Sequence, residues 1–170
     1  MRRCGSVVSG LIIKITLYHE WNKTMNMRTR LALPSDIEGI FDVRTSVKEN
    51  HLSREEMERM GITESVVTDM IEKSRCAWVA EDDGKVTGFS MILPDEACLF
   101  AAFVLPKYEG RGLGRILVGL AEQELFEHHE VAWLETDKNS RAAEFYRRLG
   151  WIEKGNVSES DIRLEKIRCV

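Results

Sequence analysis

Between residues 98 and 135 the chain reads CLFAAFVLPKYEGRGLGRILVGLAEQELFEHHEVAWLE, and this stretch restricts the fold more than any other. Its first eight residues are apolar at every position, the pattern of a central strand covered on both faces. Behind a glycine loop, Leu113, Ile116, Leu117, Leu120, Ala121 and Leu125 recur at i, i+3, i+4 and i+7 spacing, which predicts an amphipathic helix over 113–127. VAWLE (131–135) predicts the next strand. Strand, helix and strand in that order make a crossover unit whose two strands run parallel. The chain is therefore α/β, with part of its sheet parallel.

The flanking sequence fills in the remaining elements. MRTRLAL from Met27 predicts a first strand ended by Pro34, with Ser35 or Asp36 capping a helix that carries Ile37, Ile40, Phe41 and Val47. Ser53 and Glu56 form an S-x-x-E capping box for a second short helix that Gly61 can end, and Thr63 to Lys73 reads as a third. In CAWVAEDDGKVTGFSMIL (76–93), Asp83-Gly84 supplies the positive φ angles of a tight hairpin turn. SRAAEFYRRL (140–149) predicts a last helix capped by Asn139 or Ser140 and closed by Gly150, and 151–154 with 161–168 predict a closing antiparallel pair.

Glycines ahead of an apolar helix announce an anion site, because bare backbone N–H groups converge there. Three designs compete for the loop YEGRGLGRIL (108–117). A P-loop needs GxxxxGK[ST], but Gly114 is followed by Arg115 and Ile116. A dinucleotide-binding GxGxxG needs glycine at 115 or 117, where Arg and Leu stand, and PKYEG separates the strand from the motif. The third design rests on two motifs together: FVLPKYEGRGLGRIL, then NSRAAEFYRRLGW about two dozen residues on. The pair resembles the GNAT superfamily of acyl-CoA-dependent N-acyltransferases, over about residues 28–168.

That resemblance implies a mixed α/β (α+β) GNAT fold, a central mixed β-sheet flanked by helices, in which a splayed parallel strand pair binds CoA. Backbone near Phe103 and Val104 is expected to pair with pantetheine, and amides from Gly110, Arg111, Gly112, Leu113, Gly114 and Arg115 to hold the pyrophosphate. Asn139 is expected to bond the pantetheine arm or to cap the helix, and Tyr146 of AAEFY to protonate the departing thiolate. From spacing alone Tyr146 is a core residue sharing a stripe with Ala142, Phe145 and Leu149. The family's loop begins with Gln or Arg where this chain has Glu109, whose carboxylate is expected to turn outward or to pair with Arg111 or Arg115. No acid lies within strand 98–105, so Glu135 and Asp137 after the next strand, Glu49 and His51 in the early helical region that forms the acceptor wall in relatives, or a chain of waters are left to take the amine proton.

The expected activity is N-acetyl transfer from acetyl-CoA to a primary amine of a small molecule or peptide, by direct attack in a ternary complex, without a metal. The competing expectation is an acyl-CoA-binding or sensing module on the same fold that lacks efficient transfer. Composition narrows the partners: a formal net charge of -4 provides no basic field for nucleic acid or an anionic membrane. Four cysteines without CxxC spacing argue against a metal site or disulfide framework and for a reducing cytoplasm, with Cys98 as a small buried hydrophobe. Residues 1–26 read as an N-terminal extension with Met25 or Met27 as a candidate start, ahead of one domain at 27–170. An exposed edge on the final hairpin leaves monomer and homodimer both open.

Overall fold

The computed structural model describes residues 27–168, so the expectations for residues 1–26 lie outside the described residues. Seven strands form one mixed sheet: β1 (Arg28–Leu31), β2 (Ala77–Asp82), β3 (Lys85–Leu93), β4 (Cys98–Val104), β5 (Val131–Asp137), β6 (Ile152–Asn156) and β7 (Asp161–Ile167), in the order β1-β2-β3-β4-β5-β7-β6. Among the described residues five α-helices accompany them: α1 (Ile37–Ser46), α2 (Arg54–Arg59), α3 (Glu64–Lys73), α4 (Leu113–His128) and α5 (Arg141–Arg148). Every strand pairing is antiparallel except β4 with β5, as the crossover unit requires.

Local chemistry sets the boundaries. The Ser53 hydroxyl accepts from the Glu56 N–H while the Glu56 carboxylate accepts from the Ser53 N–H, so both halves of the capping box form. Thr63 caps α3 through the Val66 N–H, and Ser140, rather than Asn139, caps α5 through the Ala143 N–H. Asp83 and Gly84 both take positive φ in the β2–β3 turn, matching the primed hairpin turn.

Helices cover both faces of the sheet. α1 lies over β3 on one face, while α4 crosses β2, β3 and β4 on the other. α4 buries Leu113, Leu117, Val118, Ala121 and Leu125, and each large side chain contributes about 1.5–3 kcal/mol of burial free energy. Gly88 on β3 lets α4 sit this close: a Cβ there would stand 3.0 Å from the Phe103 carbonyl and 3.2 Å from Leu117. The buried Ser90 hydroxyl donates to the Leu117 carbonyl at 2.8 Å, tying the helix to the same strand. At the β1 edge, Arg30 joins two buried carboxylates, Asp36 and Glu81, and Arg28 pairs with Glu81 as well.

One expectation needs correction. Although β4 is apolar throughout, only Cys98 and Leu99 are buried, and Phe100 is 45% exposed. The reason is the pairing: β4 and β5 meet in register only at Cys98↔Trp133, supported by the Trp133 N–H donating to the Ala97 carbonyl. Beyond that point the strands part, and the apolar residues of β4 line cavities.

Candidate active site

The parting of β4 from β5 opens a cleft of about 710 Å³ floored by Ala102, Phe103 and Val104. The glycine loop forms one wall and the first turns of α4 and α5 complete it. Gly110 and Gly112 have φ of 73° and 82°, left-handed values that favour glycine, and Gly112 stands at the N-cap of α4. The first bond across that end is donated by Ile116 to the Gly112 carbonyl, so the N–H groups of Leu113, Gly114 and Arg115 have no partner within the helix. Their dipoles add to a 16-residue helix aimed at the cleft, an arrangement that favours negative charge.

Tyr146 closes the inner end. The ring is 8% exposed, packs edge-on against Phe145 and Trp151, and lines the cleft. Among the described residues its hydroxyl has no hydrogen-bond partner. Burial pushes the phenol above its ordinary value, and the Glu122 carboxylate adds to the effect. Glu122 is itself held by the Trp151 indole N–H and by Lys166. A phenol in this setting keeps its proton throughout the neutral range.

The other candidates divide by position. Phe103, Val104, Gly110, Gly112, Leu113, Gly114, Arg115 and Glu49 all line the cleft together with Tyr146. Arg111 does not line it; its guanidinium stacks on the Tyr108 ring at 5.1 Å. Asn139 is exposed and donates its backbone N–H to the Asp137 carboxylate, outside the cleft. Glu135 is exposed on β5, next to the buried Leu134 and Thr136 that alternate with it. His51 is also exposed, with Nδ1 3.2 Å from the Val47 carbonyl. Of the four side chains named for the amine proton, Glu49 alone reaches the cleft.

Glu109 turns to a partner that was not foreseen. Its carboxylate meets Arg141 of α5 at 3.2 Å instead of Arg111 or Arg115, and the same guanidinium holds Glu49 at 2.7 Å. The first turn of α5 lies over the loop, so Arg141 bridges the glycine-loop wall to the wall that carries Glu49. Sequence gave one signal for it: Arg141 sits inside the NSRAAEFY motif. Cys98 is buried and burial pushes its thiol up to about 12, with Glu96 and Glu135 adding, which makes it a small hydrophobe and a poor nucleophile. Among the described residues no group of three His, Cys, Asp or Glu side chains is placed to hold a metal, and no helix is long and apolar enough to cross a membrane.

The model of the acetyltransferase (GNAT) family matches residues 37–151, a span that includes the whole cleft from Val47 to Tyr146. The chain belongs to the GNAT family. It is 39% identical over 75 residues to the peptidyl-lysine N-acetyltransferase YiaC of Escherichia coli, covering 44% of this chain and 48% of that protein. It is 32% identical over 75 residues to the [ribosomal protein bS18]-alanine N-acetyltransferase of Haemophilus influenzae, covering 42% and 51% respectively. The chain thus spans about half the length of the curated relatives it matches. Among solved structures, the PaiA N-acetyltransferase from Thermoplasma acidophilum in complex with coenzyme A superposes with a TM-score of 0.70 at 20% identity, over 85% of this chain and all of that one. YncA from Salmonella typhimurium with acetyl-CoA gives 0.66 at 16% identity, over 84% and 94%.

The GNAT cleft of this chain fits an acyl-CoA on its own geometry. A strand edge without a partner can hydrogen-bond an extended amide arm, and a helix N-terminus with free N–H groups can take a pyrophosphate. Both features open into the same cavity, with Arg115 beside the loop.

Proposed function

We propose that this chain transfers an acetyl group from acetyl-CoA to a primary amine, the amine attacking directly while both substrates are bound. One observation carries the reading: the unpaired edge of β4, the α4 N-terminus and the Tyr146 phenol converge on a single cleft. Backbone of Phe103 and Val104 would hold the pantetheine arm, and the amides from Gly110 to Arg115 the pyrophosphate. Acetyl-CoA supplies an acyl carbon already activated as a thioester. Tyr146 holds a proton at Oη for the sulfur, and the Glu49 carboxylate, which lines the same cleft, takes the proton that the attacking amine loses. The net change forms an amide N–C bond and breaks the thioester C–S bond, with one proton leaving nitrogen and one reaching sulfur. Two buried, unbridged cysteines, Cys76 and Cys98, support a reducing cytoplasmic setting.

A thiol-release assay with acetyl-CoA and a panel of amines tests this, with mass spectrometry of the acceptor as a second readout. CoA should appear in step with acetylated amine. Binding of CoA with no release above the hydrolysis background for any amine would overturn the reading in favour of a sensing module.

A further inference from the structure

A second cavity, of about 210 Å³, lies on the α1 face of the sheet. Its wall includes Phe89 and Met91 of β3, which pair directly with Phe103 and Ala101 of β4, and Met57 and Met60 from the α2 region. Phe103 is the one residue it shares with the larger cleft. The two cavities thus meet at Phe103, on the unpaired stretch of β4. A β-bulge sits at the junction: pairing passes from Met91↔Ala101 to Ile92↔Leu99, so Phe100 is an extra residue and its ring, 45% exposed, lines the pocket. The bulge falls two residues past the register pair that joins β4 to β5.

Apolar groups make up nearly the whole lining, and the methionines give an adaptable wall. The exception is Arg44 of α1. Its guanidinium lies over the Phe103 ring at 4.5 Å, Nη1 is buried without a hydrogen-bond partner, and among the described residues it forms no ion pair. Burial lowers its affinity for its proton, as expected for a desolvated cation. Arg54, whose guanidinium lies over the ring of the pocket residue Phe41 at 5.5 Å, is already committed to Asp42 and Glu64. Arg44 is half-buried and is the one charged residue in this lining, so the part of its guanidinium that faces the pocket favours an acceptor oxygen, and a charged oxygen matches it best.

We infer that this pocket seats the acyl acceptor, and that the acceptor is a free α-amino acid with an apolar side chain, its carboxylate on Arg44 and its side chain among the methionines and Phe100. The inference rests on the transferase reading above and names its substrate class. Size supports it, since at 210 Å³ the pocket lies below the roughly 300–1,000 Å³ of ordinary ligand sites and suits one side chain. Connectivity supports it too: amine, side chain and carboxylate leave one carbon, so the amine can turn past Phe103 toward the cleft while the other two groups stay behind.

The test compares methionine, leucine and phenylalanine with their α-carboxamides, with an Nα-capped lysine amide and with a polyamine. The free acids should exceed their carboxamides by about tenfold or more in kcat/KM, because the carboxamide leaves the half-buried guanidinium without its counter-charge. Arg44→Gln should erase that preference while leaving the KM for acetyl-CoA unchanged. Met60→Glu places a repelling charge at a side chain that is 63% exposed, so it tests the same point without threatening the fold, and should weaken the acids alone. Equal turnover of acids and carboxamides, or a preference for lysine or polyamine, would overturn the inference. Calorimetry of the same acids with the CoA-loaded protein separates the two ideas. Heat of binding without thiol release condemns the transferase reading; release with other amines but no heat from the acids condemns this one.

Discussion

Tyr146→Phe removes one oxygen atom from the inner end of the cleft and isolates the proposed proton donor. The hydroxyl has no hydrogen-bond partner among the described residues, so its loss strands no buried group. The ring contacts with Phe145 and Trp151, at centroid distances of 5.3 and 6.0 Å, belong to the part of the side chain that is kept. Folding stability should therefore change by less than about 1 kcal/mol. Turnover should respond very differently. A positioned general acid is worth about a hundredfold or more, which corresponds to roughly 2.7 kcal/mol of barrier at about 1.36 kcal/mol per factor of ten. Binding of CoA, which uses backbone groups of the loop and β4, should hold. The assay is thiol release at saturating acetyl-CoA, with a thermal melt and a CoA titration run on the same preparation. Because burial raises the phenol, wild-type kcat should show no alkaline loss attributable to Tyr146 below about pH 10. Full turnover of the phenylalanine variant at saturation would refute the assignment and return Tyr146 to the core.

Glu109→Gln should change acetyl-CoA affinity by less than about tenfold, because the carboxylate is already matched by Arg141 in an exposed pair of small net value; a larger gain in a direct binding titration would mean that Glu109 faces the phosphates. Gly112→Ala forces a side chain into a φ of 82° and should cost about 1–2 kcal/mol; a lowered melting temperature together with weaker CoA binding is expected, and an unchanged CoA Kd would refute the role of this turn. Burial alone would raise the Asp36 carboxyl, but hydrogen bonds from Arg30 and from the Leu33 N–H hold it below the usual range. A depressed folded value means stability that is present above about pH 4 and is lost as pH falls through the folded value. Asp36→Asn should therefore flatten the acid limb of a stability–pH profile and cost roughly 1–3 kcal/mol at pH 7 by weakening a buried pairing; an unchanged acid limb would rule the linkage out.

Element order and the glycine loop were legible in the chain because both are written locally. Helix period, a capping box, an Asp-Gly turn and alternate glycines each act within a few residues, and each is found where the pattern placed it. The motif pair around Gly110 and Tyr146 was readable for the same reason. Relations across the chain were not. Arg141 meeting Glu49 and Glu109 spans 92 and 32 residues of sequence, and nothing in the spacing selects it over Arg111 or Arg115.

The β4 strand marks the division most plainly. By itself the sequence determined that CLFAAFVL is a strand and that a helix begins after its glycine loop, since backbone preference and periodicity settle such matters locally. Tertiary structure alone decided that β5 leaves β4 after a single register pair, that Phe100 is bulged out, and that Arg44 lies over Phe103 with no ion pair among the described residues. An apolar strand reads the same whether it faces a packed core or an open cavity. Which of the two it meets depends on where its neighbours diverge, and that is set by packing across the whole sheet.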